Sequence, residues 1–233
     1  MTFSKQWNTQ YKNKFQLNNW PFTDLVSYTI RHSNINKNKI KILELGCGSG
    51  NNIPFFLSYN SEYFGIDGSI SIISKLKKKY PKIKNNLIAC DFTQQIPIEK
   101  KFDLIIDRGS LTHNSTKDIQ YSLDLIHKKL NFHGKFIGID WFSTNHFEYK
   151  NGKVSTDHLT KNKYKNGRFK KIGNVHFSNK KHLQKLFSKF KIEVLDEKII
   201  TDKLSLKCEK LAWWNIVVKK ITQDNNKVIL GQY

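Results

Sequence analysis

Residues 42–52, Ile-Leu-Glu-Leu-Gly-Cys-Gly-Ser-Gly-Asn-Asn, constrain this chain more than any other stretch. The apolar run Ile42–Leu45, interrupted only by the acid Glu44, reads as a buried strand. It runs directly into glycines spaced G-x-G-x-G at Gly46, Gly48 and Gly50. Glycine adopts positive φ without a Cβ clash, so this spacing lets the backbone turn sharply and lie against a bound molecule. A helix is expected to open at Asn51 or Asn52. The segment thus reads as strand, tight turn and helix, with a binding surface at the turn.

The rest of the chain keeps that rhythm. Residues 1–38 form an expected N-terminal helical cap; in its second helix Phe22, Leu25, Val26 and Ile30 share one face and Pro21 suits the first turn. Strands are then expected at Ile40–Leu45, Tyr63–Asp67, Asn86–Cys90, Phe102–Asp107 and Lys135–Trp141. Between the last two, Ser115 and Asp118 form a capping-box pair, Ile119, Leu123, Ile126 and Leu130 make an apolar face, and Gly134 lies past the helix end. Residues 144–177 break the pattern: they are polar, lack a sustained period and carry a net charge of +6, as expected of a functional lid or a disordered insertion. A helix from about Ser178 and strands Lys191–Ile200 and Leu211–Ile221 close the sequence. The fold class is therefore α/β, a Rossmann-like, doubly wound and mostly parallel sheet, with residues 39–233 as one domain and 178–233 as its final helix and strands.

In such sheets ligands bind at the carboxyl ends of the strands, where strand order reverses. Four expected strand ends carry suitable groups. The first ends in Glu44 and the glycine turn, with Cys47 and Asn51 inside it; its backbone amides can hold a carboxylate. The second ends in Asp67, Gly68 and Ser69, where a carboxylate can accept both hydroxyls of a ribose. The third ends in Asp91 and Phe92, an acceptor for a purine amine and a ring to pack on the base. The fourth ends in Asp107-Arg108-Gly109-Ser110, shortly before His113. Each alone has an ordinary structural reading as a helix cap, core residue or turn.

Together, in this order and spacing, they resemble the class I S-adenosylmethionine-dependent methyltransferases, with the nucleoside-binding motifs along about 42–113. The resemblance implies a seven-stranded sheet whose last strand is antiparallel, and S-adenosylmethionine as cofactor. It implies that Glu44, Gly46, Gly48, Gly50, Asp67 and Asp91 hold that cofactor, with Ser69, Phe92 and Asp107 nearby. Residues 102–113 and the aromatic N-terminus (Trp7, Tyr11, Trp20, Phe22) resemble a bacterial subgroup acting on small molecules, some linked to surface saccharides. A dinucleotide fingerprint, a P-loop lysine and zinc-ligand spacings are all missing from the sequence, and no metal ligand is assigned.

The acceptor is less constrained. His113 is the first candidate for a base, with His146 and His158 behind it. Arg108 could fork an acidic acceptor or pair with Glu44 or Asp107, and Asp140 could position substrate. The formal charge of +21 suggests an anionic partner, yet all but three basic residues are lysines and Asn and Ile are abundant, as AT-rich coding produces. Two readings follow: methyl transfer to an O or N atom of a small, anionic or saccharide-linked acceptor, or an RNA-directed protein using its lysines and the interleaved Tyr164, Phe169 and Phe177. Neither a signal-like start nor a membrane-length apolar run is present, and the three cysteines fit a reduced cytoplasm.

Overall fold

The computed structural model describes residues 18–204 and 209–221, so Trp7, Tyr11, Cys208 and the first expected N-terminal helix lie outside the described residues. A seven-stranded sheet forms the body. Its strands are β1 (Lys41–Leu45), β2 (Glu62–Asp67), β3 (Leu87–Ala89), β4 (Phe102–Arg108), β5 (Leu130–Phe142), β9 (Phe190–Thr201) and β10 (Lys210–Lys220). They lie in the order β3-β2-β1-β4-β5-β10-β9, and β10 runs antiparallel to both of its neighbours.

Strand sequence explains burial. Ile42, Leu43 and Leu45 of β1 and Leu104, Ile105 and Ile106 of β4 are fully buried, because both sheet faces are covered. One face packs Leu43, Leu45, Ile105 and Phe136 against Ile119, Leu123 and Ile126 of α4 (Thr116–Lys129) and Leu183 of α5 (Lys180–Leu186). The other packs Ile42, Leu104, Ile106 and Ile137 against α1 (Thr23–His32), α2 (Ile53–Ser58) and α3 (Ile70–Lys79). The chain leaves β1 toward β2 on one side and returns to β4 on the other. The switch point therefore falls between β1 and β4.

The expected capping box at α4 is present. The Ser115 hydroxyl donates to the Asp118 carboxylate at 2.7 Å and accepts the Asp118 amide at 3.2 Å. Ser115→Ala is expected to cost about 1 kcal/mol, read as a lower urea midpoint; an unchanged midpoint would show that water caps this helix equally well.

Two local expectations need correction. Pro21 precedes Phe22, which is itself the N-cap of α1, so it lies outside the first turn. Gly134 does not end α4, which stops at Lys129 with Leu130 already in β5. Its role is close approach: a Cβ there would lie 3.0 Å from the Phe102 carbonyl oxygen on the neighbouring strand.

Residues 144–177 are folded. Strands β6 (Lys153–Val154), β7 (Thr160–Asn162) and β8 (Val175–His176) form a small antiparallel sheet. Tyr164, Phe169, Val175 and Phe177 make its own core, packed on Phe142, Tyr149 and Ile172. The two ends of this lid are pinched together: the Ser178 amide donates to the Phe142 carbonyl at 2.8 Å and the Thr144 amide to the Ser178 carbonyl at 3.0 Å. A polar chain fastens the lid further. His182 of α5 meets His176 at 3.1 Å, His176 meets Thr160 at 2.9 Å, and Thr160 donates to Asp157, which accepts the Thr116 amide of α4.

Candidate functional site

A cavity of about 920 Å³ opens at the carboxyl ends of β1 to β5. Glu44, Gly46, Cys47, Gly48, Asn51, Asp67, Asp91, Phe92, Arg108 and His113 all line it. Gly50, Gly68, Ser69 and Asp107 lie outside its wall.

The turn is built by its glycines, which have φ of +67°, +51° and +74° at Gly46, Gly48 and Gly50. Gly46 also passes against Ser110, whose Cβ and Oγ would overlap any added Cβ. Four of the turn's amides are bonded within the fold. Gly46 and Cys47 donate to the Ile66 carbonyl, Gly48 donates to Asp67 at 3.0 Å, and Gly50 donates to the Cys47 carbonyl. The first three of these bonds tie the turn to β2, and Gly50 packs on Leu76 of α3.

Glu44 sits beneath this turn, 2% exposed. Its carboxylate accepts from Asn52 Nδ2 at 2.7 Å and from the Tyr63 hydroxyl at 2.6 Å. Burial, opposed by these two bonds and reinforced by Asp107 and Asp67, pushes it up to about 7. Asn52 Oδ1 also accepts the Phe22 amide, and Asn51 donates to the Trp20 carbonyl, so the two asparagines dock the segment before α1 over the site. Sequence spacing marked both as the start of a helix and Asn51 also as part of the binding turn.

Asp67 takes one backbone amide on each oxygen, from Ser69 at 2.8 Å and Gly48 at 3.0 Å. These contacts orient a carboxylate that lines the cavity. Ser69 caps α3, its hydroxyl accepting the Ile72 amide. Asp91 accepts both the amide and hydroxyl of Thr93, at 3.0 and 2.6 Å, and Phe92 is buried beside it.

The fourth strand end differs from expectation. Asp107 and Arg108 are consecutive on β4 and therefore point to opposite faces. Asp107 is fully buried; one oxygen accepts from the amides of Ser110 and Leu111 and the Ser110 hydroxyl, the other from Trp141 Nε1 at 2.7 Å. Burial, partly offset by those bonds, raises it to about 6. It shapes the Gly109–Ser110 turn from beneath. Arg108 pairs with neither Glu44 nor Asp107: it forks Asp140 Oδ2 through Nε and a terminal nitrogen, at 2.9 and 2.8 Å, and stacks over Phe22 at 3.7 Å. Asp140 can reach it because its backbone is left-handed, φ +57°, with its amide held by Asn215.

His113 lines the same region. Its Nδ1 lies 3.0 Å from the Asn174 carbonyl of the lid, which makes Nδ1 the donor and puts the lone pair on Nε2. Burial, with help from Arg108, lowers its pKa to about 4, against the lift from Asn174. His146 is buried in the lid with Nδ1 accepting the Glu148 amide, and His158 is exposed; neither lines the cavity. The lid contributes Arg168, Phe169 and Ile172 to the wall, and β9 and β10 contribute Lys198, Ile200 and Trp213. These were missed because only the folded insertion and the reversed β10 bring them to the strand ends. Among the described residues no group of acids, histidines and cysteines is arranged to hold a metal, and no helix is long and apolar enough to cross a membrane.

The methyltransferase domain family matches residues 42–134. None of the curated proteins compared matches the chain. Among solved structures, a methyltransferase from Methanosarcina mazei is similar at a TM-score of 0.66 and 14% identity, covering 88% of this chain and 100% of that one. The 1,6-didemethyltoxoflavin N1-methyltransferase of Burkholderia thailandensis gives 0.65 and 15%, covering 92% and 85%. A third, from Clostridium acetobutylicum, gives 0.60 and 17%, covering 93% and 96%. At these identities the solved structures speak for the fold. The domain match falls on the glycine turn and the strand ends that form the cavity, so that a methyltransferase domain occupies residues 42–134 at the heart of the seven-stranded sheet.

Proposed function

We propose that this enzyme methylates a small acceptor, at an oxygen or a nitrogen that already bears a lone pair, inside the cavity roofed by the lid and Phe22. The carrying observation is the cavity itself. At about 920 Å³ it is at the upper end of ordinary ligand pockets, room for a nucleoside cofactor and a small second molecule. The similar Burkholderia protein is an N1-methyltransferase solved with bound 1,6-didemethyltoxoflavin and S-adenosylhomocysteine. The RNA reading loses its stacking platform, since Tyr164, Phe169 and Phe177 are 6%, 3% and 0% exposed.

The residues fit the cofactor. Asp67 would take the ribose hydroxyls, Asp91 and Thr93 the adenine edge, and Phe92 the ring face. Glu44, joined to Asn52 and Tyr63, would face the methionine end across a turn that only glycine allows at Gly46. When bound, S-adenosylmethionine supplies a methyl on a positive sulfur; the acceptor's lone pair forms the new bond as the S–CH3 pair leaves with sulfur, now neutral. The protein's part is alignment, exclusion of water and removal of one proton.

His113 removes it. The neutral ring presents Nε2 as acceptor, takes the hydroxyl proton of the acceptor and passes it to solvent. A base held near 4 is too weak to strip an ammonium or a free alcohol beforehand. It suffices once the C–O bond is forming, because the alkylated oxygen is then strongly acidic. An oxygen acceptor is therefore favoured over a protonated amine. His113→Asn is expected to lower kcat by about 10²–10⁴-fold while leaving S-adenosylhomocysteine affinity unchanged; undiminished turnover would remove His113 from the mechanism.

Transfer of labelled methyl from S-adenosylmethionine into cell extract, separated into RNA, protein, saccharide and small-molecule pools, tests the reading as a whole. Label in the small-molecule or saccharide pool is expected. Label in RNA overturns it.

A further inference from the structure

The cavity wall is electrically divided. Glu44, Asp67 and Asp91 stand at the ends of β1 to β3, the side assigned to the cofactor. The other side holds three cations. Arg108 is neutralised by Asp140 at 2.8 Å and Lys198 by Asp24 at 2.7 Å. Arg168 lines the cavity from the lid and makes no ion pair among the described residues. Its position is fixed from behind: the Arg168 amide donates to Glu148 Oε1 at 3.1 Å, and Phe169 next to it is buried in the lid core. Glu148 therefore holds the backbone of Arg168 without meeting its guanidinium at ion-pair distance. The same cavity is lined by Phe142, Phe169, Ile172 and Trp213, with the Phe142 and Phe169 rings edge to face at 4.8 Å.

We infer that Arg168 is the specificity-determining residue of the acceptor subsite and that the acceptor is a small, flat organic acid whose carboxylate is taken by its guanidinium. The inference rests on the methyltransferase reading above and deepens it. A guanidinium presents two parallel donors matched to a carboxylate, and one without an ion pair of its own beside aromatic side chains gains most from an anion on an apolar body. The carboxylate on Arg168 would leave a hydroxyl elsewhere on the same flat body for His113. The acid's charge also answers the sulfonium brought in on the other side, so that the two molecules attract each other as well as the protein.

The test titrates the full chain, saturated with S-adenosylhomocysteine, with 4-hydroxybenzoate and with its neutral amide and methyl ester. The acid is expected to bind at least tenfold tighter than either neutral form. Arg168→Ala is expected to erase that preference, Arg168→Lys to restore part of it, and Lys171→Ala, on a lid lysine outside the cavity wall, to leave it intact. Affinity for S-adenosylhomocysteine is expected to be the same in all variants. Equal binding of acid and amide, no binding of the acid, or a preference that survives Arg168→Ala overturns the inference. S-adenosylhomocysteine affinity, measured first, separates the two levels. Binding without acid preference defeats this inference alone, and failure to bind defeats the cofactor reading on which it rests.

Discussion

Replacing Gly46 with alanine is expected to abolish cofactor binding, with S-adenosylhomocysteine affinity falling at least ~100-fold, and to lower stability by about 2–5 kcal/mol. Two costs add. The backbone at Gly46 has φ +67°, a conformation that costs an L-residue about 1–2 kcal/mol. The new methyl would also overlap Ser110, which cannot retreat because its hydroxyl is bonded to the Leu45 carbonyl and to Asp107. Relief must come from the turn itself, which shifts into the cavity. In a chain of this size the loss corresponds to a melting point lower by roughly 5–15 °C. Ser110→Gly in the same chain removes the overlap and leaves the φ cost, so the double variant is expected to recover part of the stability lost, read as a coupling energy. Wild-type affinity in Gly46→Ala would mean that the turn does not shape the cofactor site.

The second large effect concerns Glu44. Burial first, then its carboxylate neighbours, holds it near 7 in the fold against 4.5 as its ordinary value, despite the bonds from Tyr63 and Asn52. Between those two values the folded chain keeps a proton that the unfolded chain has released. Stability therefore falls as pH rises from about 4.5 to about 7, and this contribution is level beyond that. The span corresponds to on the order of 3 kcal/mol. Glutamine keeps the acceptor for Asn52 and offers an amide donor to the Tyr63 oxygen, without the charge. Glu44→Gln is thus expected to match wild type at pH 5 and to melt roughly 6–12 °C higher at pH 8. It is expected to bind S-adenosylmethionine more weakly there, because the charge removed is the one proposed to face that cationic ligand. A parallel pair of melting curves across this pH range would show that Glu44 is not the group that titrates.

What the sequence revealed and what it hid divides along physical lines. β1 and β4 were legible because a strand buried on both faces must be apolar nearly throughout, and the glycines at 46, 48 and 50 because positive φ at three alternate positions leaves few substitutes. The strand-end acids Asp67 and Asp91 were legible through order and spacing, and both line the cavity. The partner of Arg108 was not legible. It depends on alternation along β4, which turns Asp107 inward toward Trp141, and on the left-handed Asp140 one strand over. The internal fold of the lid was not legible for a related reason. Its core is four side chains scattered between Tyr164 and Phe177, of which only Val175 lies on a strand, and its strands of two and three residues are too short for any period to register.

The pinch between Phe142, Thr144 and Ser178 carries a consequence of its own. The lid leaves and re-enters the body at one point, as a pouch hangs from a drawstring, and it brings its own apolar filling. Closing a chain on itself depends only logarithmically on its length, about 0.6 kcal/mol for each doubling. A longer or shorter pouch can therefore hang from the same drawstring with the sheet, the glycine turn and the cofactor side undisturbed. With the acceptor subsite on the lid, as proposed above, acceptor choice would be uncoupled from methyl supply, and a change of substrate would call for a new pouch on an old purse.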